Sequence, residues 1–173
     1  MEVVIRSARL HETVLLADVE RDGDRRYAGY DGLPPGFDDT VAPSTLEDAC
    51  GDGRLWVVET DDGEIVGFAL AESVDGHAHL SQLSVRLAFQ GAGLGRRLVT
   101  TVCTWARDHA MTEVTLCTFA DVDWNRPLYE HLGFVVLPEA QWTPGLRAVF
   151  ASDADLGLDL ARRVVMRLEV PED

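Results

Sequence analysis

The stretch Leu83–Val99, LSVRLAFQGAGLGRRLV, decides the reading of this chain. It begins as the end of an alternating strand and passes through glycines at 91, 93 and 95. It then enters a segment whose Leu94, Leu98, Val102, Trp105 and Ala106 recur at helical spacing, predicting a helix from about Gly93 to His109. Glycines at the start of a helix let the backbone approach a ligand closely and leave the first N–H groups without a partner one turn back. Those donors stand at the positive end of the helix dipole and suit a phosphate or pyrophosphate. Arg96 and Arg97 follow directly. Two nucleotide loops fail on the residues themselves. A Rossmann fingerprint needs a third glycine where Arg96 stands, and the next strand lacks its acidic residue. A P-loop needs a lysine, and the chain has none.

Upstream, RLWVVET and IVGFALAES flank the Asp-Gly signal of DDGE, and VDGH makes a second turn before AHLSQLSV. These predict a meander of three antiparallel strands over about Leu55 to Val85. Downstream, EVTLCTF reads as a strand. It completes a strand–loop–helix–strand unit, expected as a right-handed crossover with its two strands parallel or splayed. DVDWNRPLYEHLGF reads as a short helix stopped at Gly133, FVVL as a strand, and RVVMRLEV as the closing strand, while residues 138–162 show no clear pattern. At the other end VVIRSA predicts a strand. Ser7 is the expected cap of a helix carrying Leu10, Val14, Ala17 and Arg21 along one face. Residues 22–43, rich in Gly, Pro and Asp, read as irregular, and such long loops are usually functional or mobile. Ser44 or Thr45 is the expected cap of a short helix through Asp48 and Cys50. Without a repeat or a linker, the chain reads as one α+β domain.

Composition narrows the function classes. The formal net charge is −15, which repels phosphate backbones and anionic lipid and speaks against nucleic-acid or membrane-surface partners. No apolar run approaches the roughly 18 residues of a membrane span. The N-terminus, MEVVIRSARL, has no long apolar core of a signal peptide. Cys50, Cys103 and Cys117 lack metal-ligand spacing and read as buried thiols of a reducing cytoplasm.

The quoted stretch resembles the acetyl-coenzyme A binding motif of the GNAT superfamily of N-acetyltransferases, Q/R-x-x-G-x-G/A after the fourth strand. Gln90, Gly93 and Gly95 match it, with Gly91 as a frequent extra glycine. WNRPLYEHLGF is similar to the family's second signature, with Asn125, Tyr129, Gly133 and Phe134 in its places. Leu87 stands where many members have proline. The resemblance covers roughly Leu55 to Leu137, and the two ends only by the order of elements. It implies a mixed, mostly antiparallel sheet of six to seven strands flanked by helices, with a cofactor cleft where β4 and β5 splay apart. On this reading residues 1–53 form the N-terminal strand and acceptor-side helices, 54–137 the acetyl-CoA-binding core, and 138–173 the C-terminal segment and strand.

The resemblance also implies roles. The backbones of Leu83, Ser84 and Val85 would bond the pantetheine arm of acetyl-CoA, the co-substrate. The N–H groups of Gln90, Gly91, Ala92, Gly93, Gly95 and Arg96 would hold its pyrophosphate, and Asn125 would contact the coenzyme from the far side. Tyr129 is the expected general acid for the departing thiolate, since an ordinary Tyr hydroxyl (pKa ~10) is protonated at neutral pH. On helical spacing alone Tyr129 reads as a core residue beside Phe134; within the motif it reads as the acid. For the general base, Gln82 replaces the Glu of many members and cannot serve. Glu72, His79 and ordered water stay open as alternatives. His77 and His79 share a strand face but have no third ligand, so no metal is expected. Asp31, Asp38 and Asp39 are acidic residues of the long loop, placed either to draw in a cationic amine or simply as a solvated face. Trp124 and Trp142 line a pocket or pack. The expected function is acetyl transfer to a primary amine, small-molecule or peptide, in the cytoplasm; a non-catalytic acyl-CoA sensor is the alternative. Dimers are frequent in the family, and the final strand offers an edge for a homodimer.

Overall fold

In the computed structural model, which describes residues 2–171, the Asp-Gly signals become turns. Asp75 and Gly76, with φ of 50° and 84°, adopt the left-handed pair that a two-residue hairpin requires. They join β3 (Ile65–Val74) to β4 (His77–Val85), and β2 (Leu55–Thr60) precedes them. With β1 (Val3–Ser7), β5 (Glu113–Phe119), β6 (Val135–Val136) and β7 (Arg163–Glu169), the strands form one mixed sheet in the order β1-β2-β3-β4-β5-β7-β6. Helix α3 (Leu94–Asp108) makes the crossover from β4 to β5, within a residue of its expected span at each end. By their internal contacts the residues fall into two compact units.

The first unit comprises Met1–Gly29, Asp38–Glu72 and Leu80–Trp105. Here β1 runs antiparallel to β2, and β2 antiparallel to β3, with Leu55 opposite Leu70 and Val57 opposite Phe68. The inward residues of these strands pack with Leu16, Val19, Leu46 and Ala49. Phe68 is fully buried there. Truncation of such a residue to alanine typically costs about 3–5 kcal/mol.

Three expectations for this region are corrected. Ser7 ends β1 and caps nothing; the chain makes a 3-10 segment over Leu10–Leu15 before α1 (Leu16–Asp24). Leu10 and Val14 are therefore 63% and 74% exposed, while Glu12 and Thr13 turn inward. The physical reason is an ion pair. The Glu12 carboxylate bonds the Arg6 guanidinium at 2.5 and 2.9 Å and accepts the Arg9 N–H at 2.7 Å. Helix α1 also continues through Asp22, Gly23 and Asp24, which had read as loop. Helix α2 (Pro43–Gly51) starts at Pro43 rather than after Ser44 or Thr45, because proline at the first helical position loses no intrahelical bond.

The second unit comprises Tyr30–Phe37, Ser73–His79 and Ala106–Asp173. β4 and β5 are parallel, with Ala78 opposite Val114 and His79 opposite Thr115. β7 is antiparallel to β5 from Glu113↔Glu169 to Phe119↔Arg163, and β6 lies antiparallel along its other side. The closing strand is thus an inner strand of the sheet, and the edge expected to be free is covered at Met166 and Arg167 by Val136 and Val135. Gly133, φ 96°, follows the C-cap Leu132 of α4 (Arg126–His131) as the helix stop that the sequence indicated. The patternless stretch contains α5 (Pro144–Ser152), whose Leu146 N–H donates to the Thr143 hydroxyl. Leu137, Leu146 and Val165 are buried there beside Trp142 and Phe150.

Candidate functional site

In the first unit, β4 ends at Val85 and a 3-10 turn over Leu87–Phe89 leads into the glycine loop. Gly91 and Gly93 have φ of 82° and 78°, the left-handed region in which a side chain is strained. Helix α3 then begins, its Arg97 N–H bonding the Gly93 carbonyl at 3.2 Å. The N–H groups of Leu94, Gly95 and Arg96 precede that bond and have no carbonyl one turn back. Gly91, Ala92, Gly93 and Arg96 are exposed, while Leu94 and Leu98 are buried and anchor the helix. The loop thus offers open backbone donors at the positive end of a four-turn helix.

Gln90 has a second part that the sequence did not indicate. Its side-chain amide donates to the carbonyls of Val85, at 2.8 Å, and Gly23, at 3.1 Å, and its carbonyl accepts from Arg26 at 3.2 Å. The side chain serves the protein itself, and the Gln90 backbone N–H donates to the Leu87 carbonyl at 3.3 Å, so the donors open to a ligand begin after Gln90. The Val85 carbonyl is consequently engaged. Of the other β4 residues, Ser84 is buried and its hydroxyl accepts from the Gln82 amide at 2.9 Å, while Leu83 is half-buried. Glu72, on β3, accepts a hydrogen bond from the Ser81 hydroxyl at 2.7 Å.

In the second unit, Asn125 is the N-cap of α4 and its carbonyl accepts the Tyr129 N–H at 3.2 Å. Tyr129 is half-buried, and its ring meets Phe134 edge to face at 5.7 Å between centroids. The packing beside Phe134 weighed from the sequence is thus present. His79 is 3% exposed, with its Nδ1 2.9 Å from the Thr115 hydroxyl. A base there would need a route for the proton out of the core.

The acidic loop residues are largely committed to arginines. Asp38 accepts from Arg21 at 2.8 Å within the first unit. In the second, Asp31 and Asp121 both bond Arg162, which lies 4.7 Å from the Tyr30 ring centroid. Trp142 packs on Phe150 and donates to the Leu137 carbonyl at 2.8 Å. Asp22, Gly23 and Arg162 have no signal in the sequence for the contacts they make: DGD reads as turn chemistry, and a lone arginine late in the chain carries no local pattern. The three cysteines are free thiols, half-buried rather than fully buried, and burial pushes the Cys117 thiol up to about 12, far from the range of a reactive thiolate. Among the described residues no group of three or more His, Cys, Asp or Glu could hold a metal ion. Among them, too, no helix is long and apolar enough to cross a membrane.

Residues 21–134 match the Acetyltransferase (GNAT) family. Among solved structures, the PaiA N-acetyltransferase of Thermoplasma acidophilum, in complex with coenzyme A, is 14% identical with a TM-score of 0.74, over 98% of this chain and 99% of that one. N-acetylglutamate synthase from Neisseria gonorrhoeae, complexed with coenzyme A and N-acetyl-glutamate, is 16% identical with a TM-score of 0.72, over 99% of this chain and 36% of the larger one. The ribosomal-protein-S18-alanine N-acetyltransferase of Escherichia coli is 19% identical with a TM-score of 0.67, over 99% and 96%. At such identities the likeness is one of fold.

Proposed function

The chain belongs to the GNAT acetyltransferase family, and from that premise we propose that it transfers the acetyl group of acetyl-CoA to a primary amine by direct attack. The observation that carries the reading is the left-handed pair Gly91 and Gly93 opening α3, which supports a pyrophosphate-binding loop formed from backbone donors. The N–H groups that follow Gln90, from Gly91 to Arg96, bind the pyrophosphate, since the Gln90 N–H itself donates to the Leu87 carbonyl, and the main chain at Leu83 and Ser84, with the Val85 N–H, bonds the pantetheine arm. Asn125 contacts the coenzyme from the other side. The structural neighbours named above with coenzyme A bound support the same co-substrate here.

Acetyl-CoA supplies the acyl group as a thioester. The neutral amine nitrogen bonds the carbonyl carbon, the carbon–sulfur bond breaks, and the Tyr129 hydroxyl gives its proton to the departing thiolate. The proton lost by the amine goes to Glu72, to His79 or to water. Glu72 is the better placed of the two side chains, being half-buried and bonded by Ser81 rather than enclosed. The acceptor is a small-molecule or peptide amine, the two kinds that the named relatives act on. Three free thiols are consistent with a reducing cytoplasm.

Tyr129→Phe tests the chemistry. Turnover, read as free thiol released with a panel of amines, should fall about 100-fold, the scale of a general acid, with coenzyme affinity within about threefold of the parent. Unchanged turnover removes Tyr129 from the mechanism. A second reading, a non-catalytic acyl-CoA sensor, rests on Gln82, whose amide is spent on Ser84 where a base would be useful. Coenzyme binding without turnover on any amine would favour it.

A further inference from the structure

The glycine loop is tied to the last turn of α1 at three successive points, all inside the first unit. The Asp22 carboxylate accepts the Leu87 N–H at 2.9 Å. The Gln90 amide donates to the Gly23 carbonyl at 3.1 Å and to that of Val85 at 2.8 Å. Gly23 itself lies so close to β4 that a Cβ on it would stand 2.7 Å from the Val85 oxygen. Only glycine fits between the helix and the end of the strand. The Leu87 N–H is also the first cause that holds the Asp22 carboxyl below its ordinary range.

These ties matter because the loop is conformationally expensive. Glycine has more backbone freedom to lose than any other residue, and each ordered backbone unit costs about 1–2 kcal/mol. A loop held in its binding shape before the ligand arrives avoids that cost on binding. The ties fall at the entrance of the loop, at 85, 87 and 90, and leave Gly91, Ala92 and Gly93 exposed.

We propose that the last turn of α1 sets the shape of the coenzyme loop, with Asp22 and Gly23 as positioning residues that act through Leu87, Gln90 and Val85. The proposal rests on the reading of that loop as the coenzyme site. Neither residue belongs to the motif by which the loop was recognised.

The test compares Asp22→Ala with Asp22→Asn, whose side-chain carbonyl still accepts from Leu87. Amide hydrogen exchange over residues 86–97 is measured first in the ligand-free proteins. Exchange in Asp22→Ala should be roughly tenfold faster, the loss expected for one hydrogen bond to a charged group, with Asp22→Asn within about threefold of the parent. Calorimetry with coenzyme A should then show affinity about tenfold weaker in Asp22→Ala and near the parent in Asp22→Asn. The acetyl-CoA KM should rise in proportion, with kcat within about threefold. Unchanged exchange in Asp22→Ala, or equal loosening in both variants, overturns the proposal. A parent protein that binds no coenzyme A contradicts the functional reading instead, and the ligand-free exchange still decides whether Asp22 holds the shape of the loop. Gly23→Ala should be more severe, and the Asp22 pair gives the answer even if that variant fails to fold.

Discussion

The carboxylate of Glu20 lies buried in the first unit, where it accepts the backbone N–H of Val41 at 3.1 Å. Burial, reinforced by Asp24 and Asp39 and opposed by the Val41 bond and Arg21, pushes this carboxyl up to about 7. A carboxyl raised in the folded state works against stability whenever it is ionised. Its cost is absent below about 4.5, the ordinary value, grows as pH rises towards 7, and is complete above that. Asp24, raised by burial to about 6, acts in the same sense. Glu20→Gln keeps an acceptor for Val41 and removes the charge. It should stabilise the protein by about 2 kcal/mol more at pH 8 than at pH 5 in urea unfolding. An equal effect at both would contradict this account.

Arg6 and Glu12 carry the opposite sign. The guanidinium holds the Glu12 carboxyl down at about 2, so its contribution is present above 4.5 and is lost as pH falls towards 2. Arg6 also bonds Glu59 at 2.7 Å, so removing Glu12 leaves part of the pairing in place. Glu12→Gln should cost about 3 kcal/mol at pH 7, with the deficit shrinking as the solution is acidified below pH 4.5. A pH-independent deficit would mean that the bond geometry, rather than the charge, does the stabilising.

The glycines of the loop predict a contrast. A methyl at Gly93 would meet nothing within 4 Å, so Gly93→Ala pays only for its left-handed backbone. It should cost about 1–2 kcal/mol of stability and weaken coenzyme A binding. Gly51, at the end of α2, also has open space for a methyl and no left-handed backbone, so Gly51→Ala should be neutral or stabilising by up to about 1 kcal/mol. Urea unfolding and calorimetry check both. Equal effects at 51 and 93 would remove the conformational argument.

What could be read in advance was local. The Asp-Gly turns, the span of α3, the stop at Gly133 and the parallel crossover follow from residue type and spacing, which act over a few positions. What could not be read depends on partners far along the chain. Leu10 and Val14 look like a buried helix face until Arg6, itself held by Glu59, draws Glu12 inward. Gly23 looks like a turn residue until the Val85 carbonyl, distant in sequence, leaves room for nothing larger. The last strand looks like an edge until Val135 and Val136 pair with it. At the candidate site, the turn at Gly91 and Gly93 was legible because glycine is itself the signal for a left-handed backbone. The side-chain duty of Gln90 was not, since it depends on where α1 ends.

Arg162 predicts a local effect in the second unit. It joins Asp31, at 2.8 Å, to Asp121 at 2.6 Å, and Asp121 also accepts the Tyr30 hydroxyl at 2.7 Å. A lysine has no planar fork to span two carboxylates and cover a ring. Both Arg162→Ala and Arg162→Lys should speed amide exchange over residues 30–37, about fivefold or more for alanine, with lysine recovering less than half of the loss. Parent-like exchange in Arg162→Lys would show that one charge suffices.

The most direct test of the central claim is calorimetric titration of the folded protein with acetyl-CoA. The account predicts saturable binding at one site per chain, weakened at least tenfold by Gly93→Ala and little changed by Tyr129→Phe. Absence of binding by a protein shown to be folded would contradict the assignment of Gln90–Arg96 as a coenzyme loop, and with it the proposed reaction.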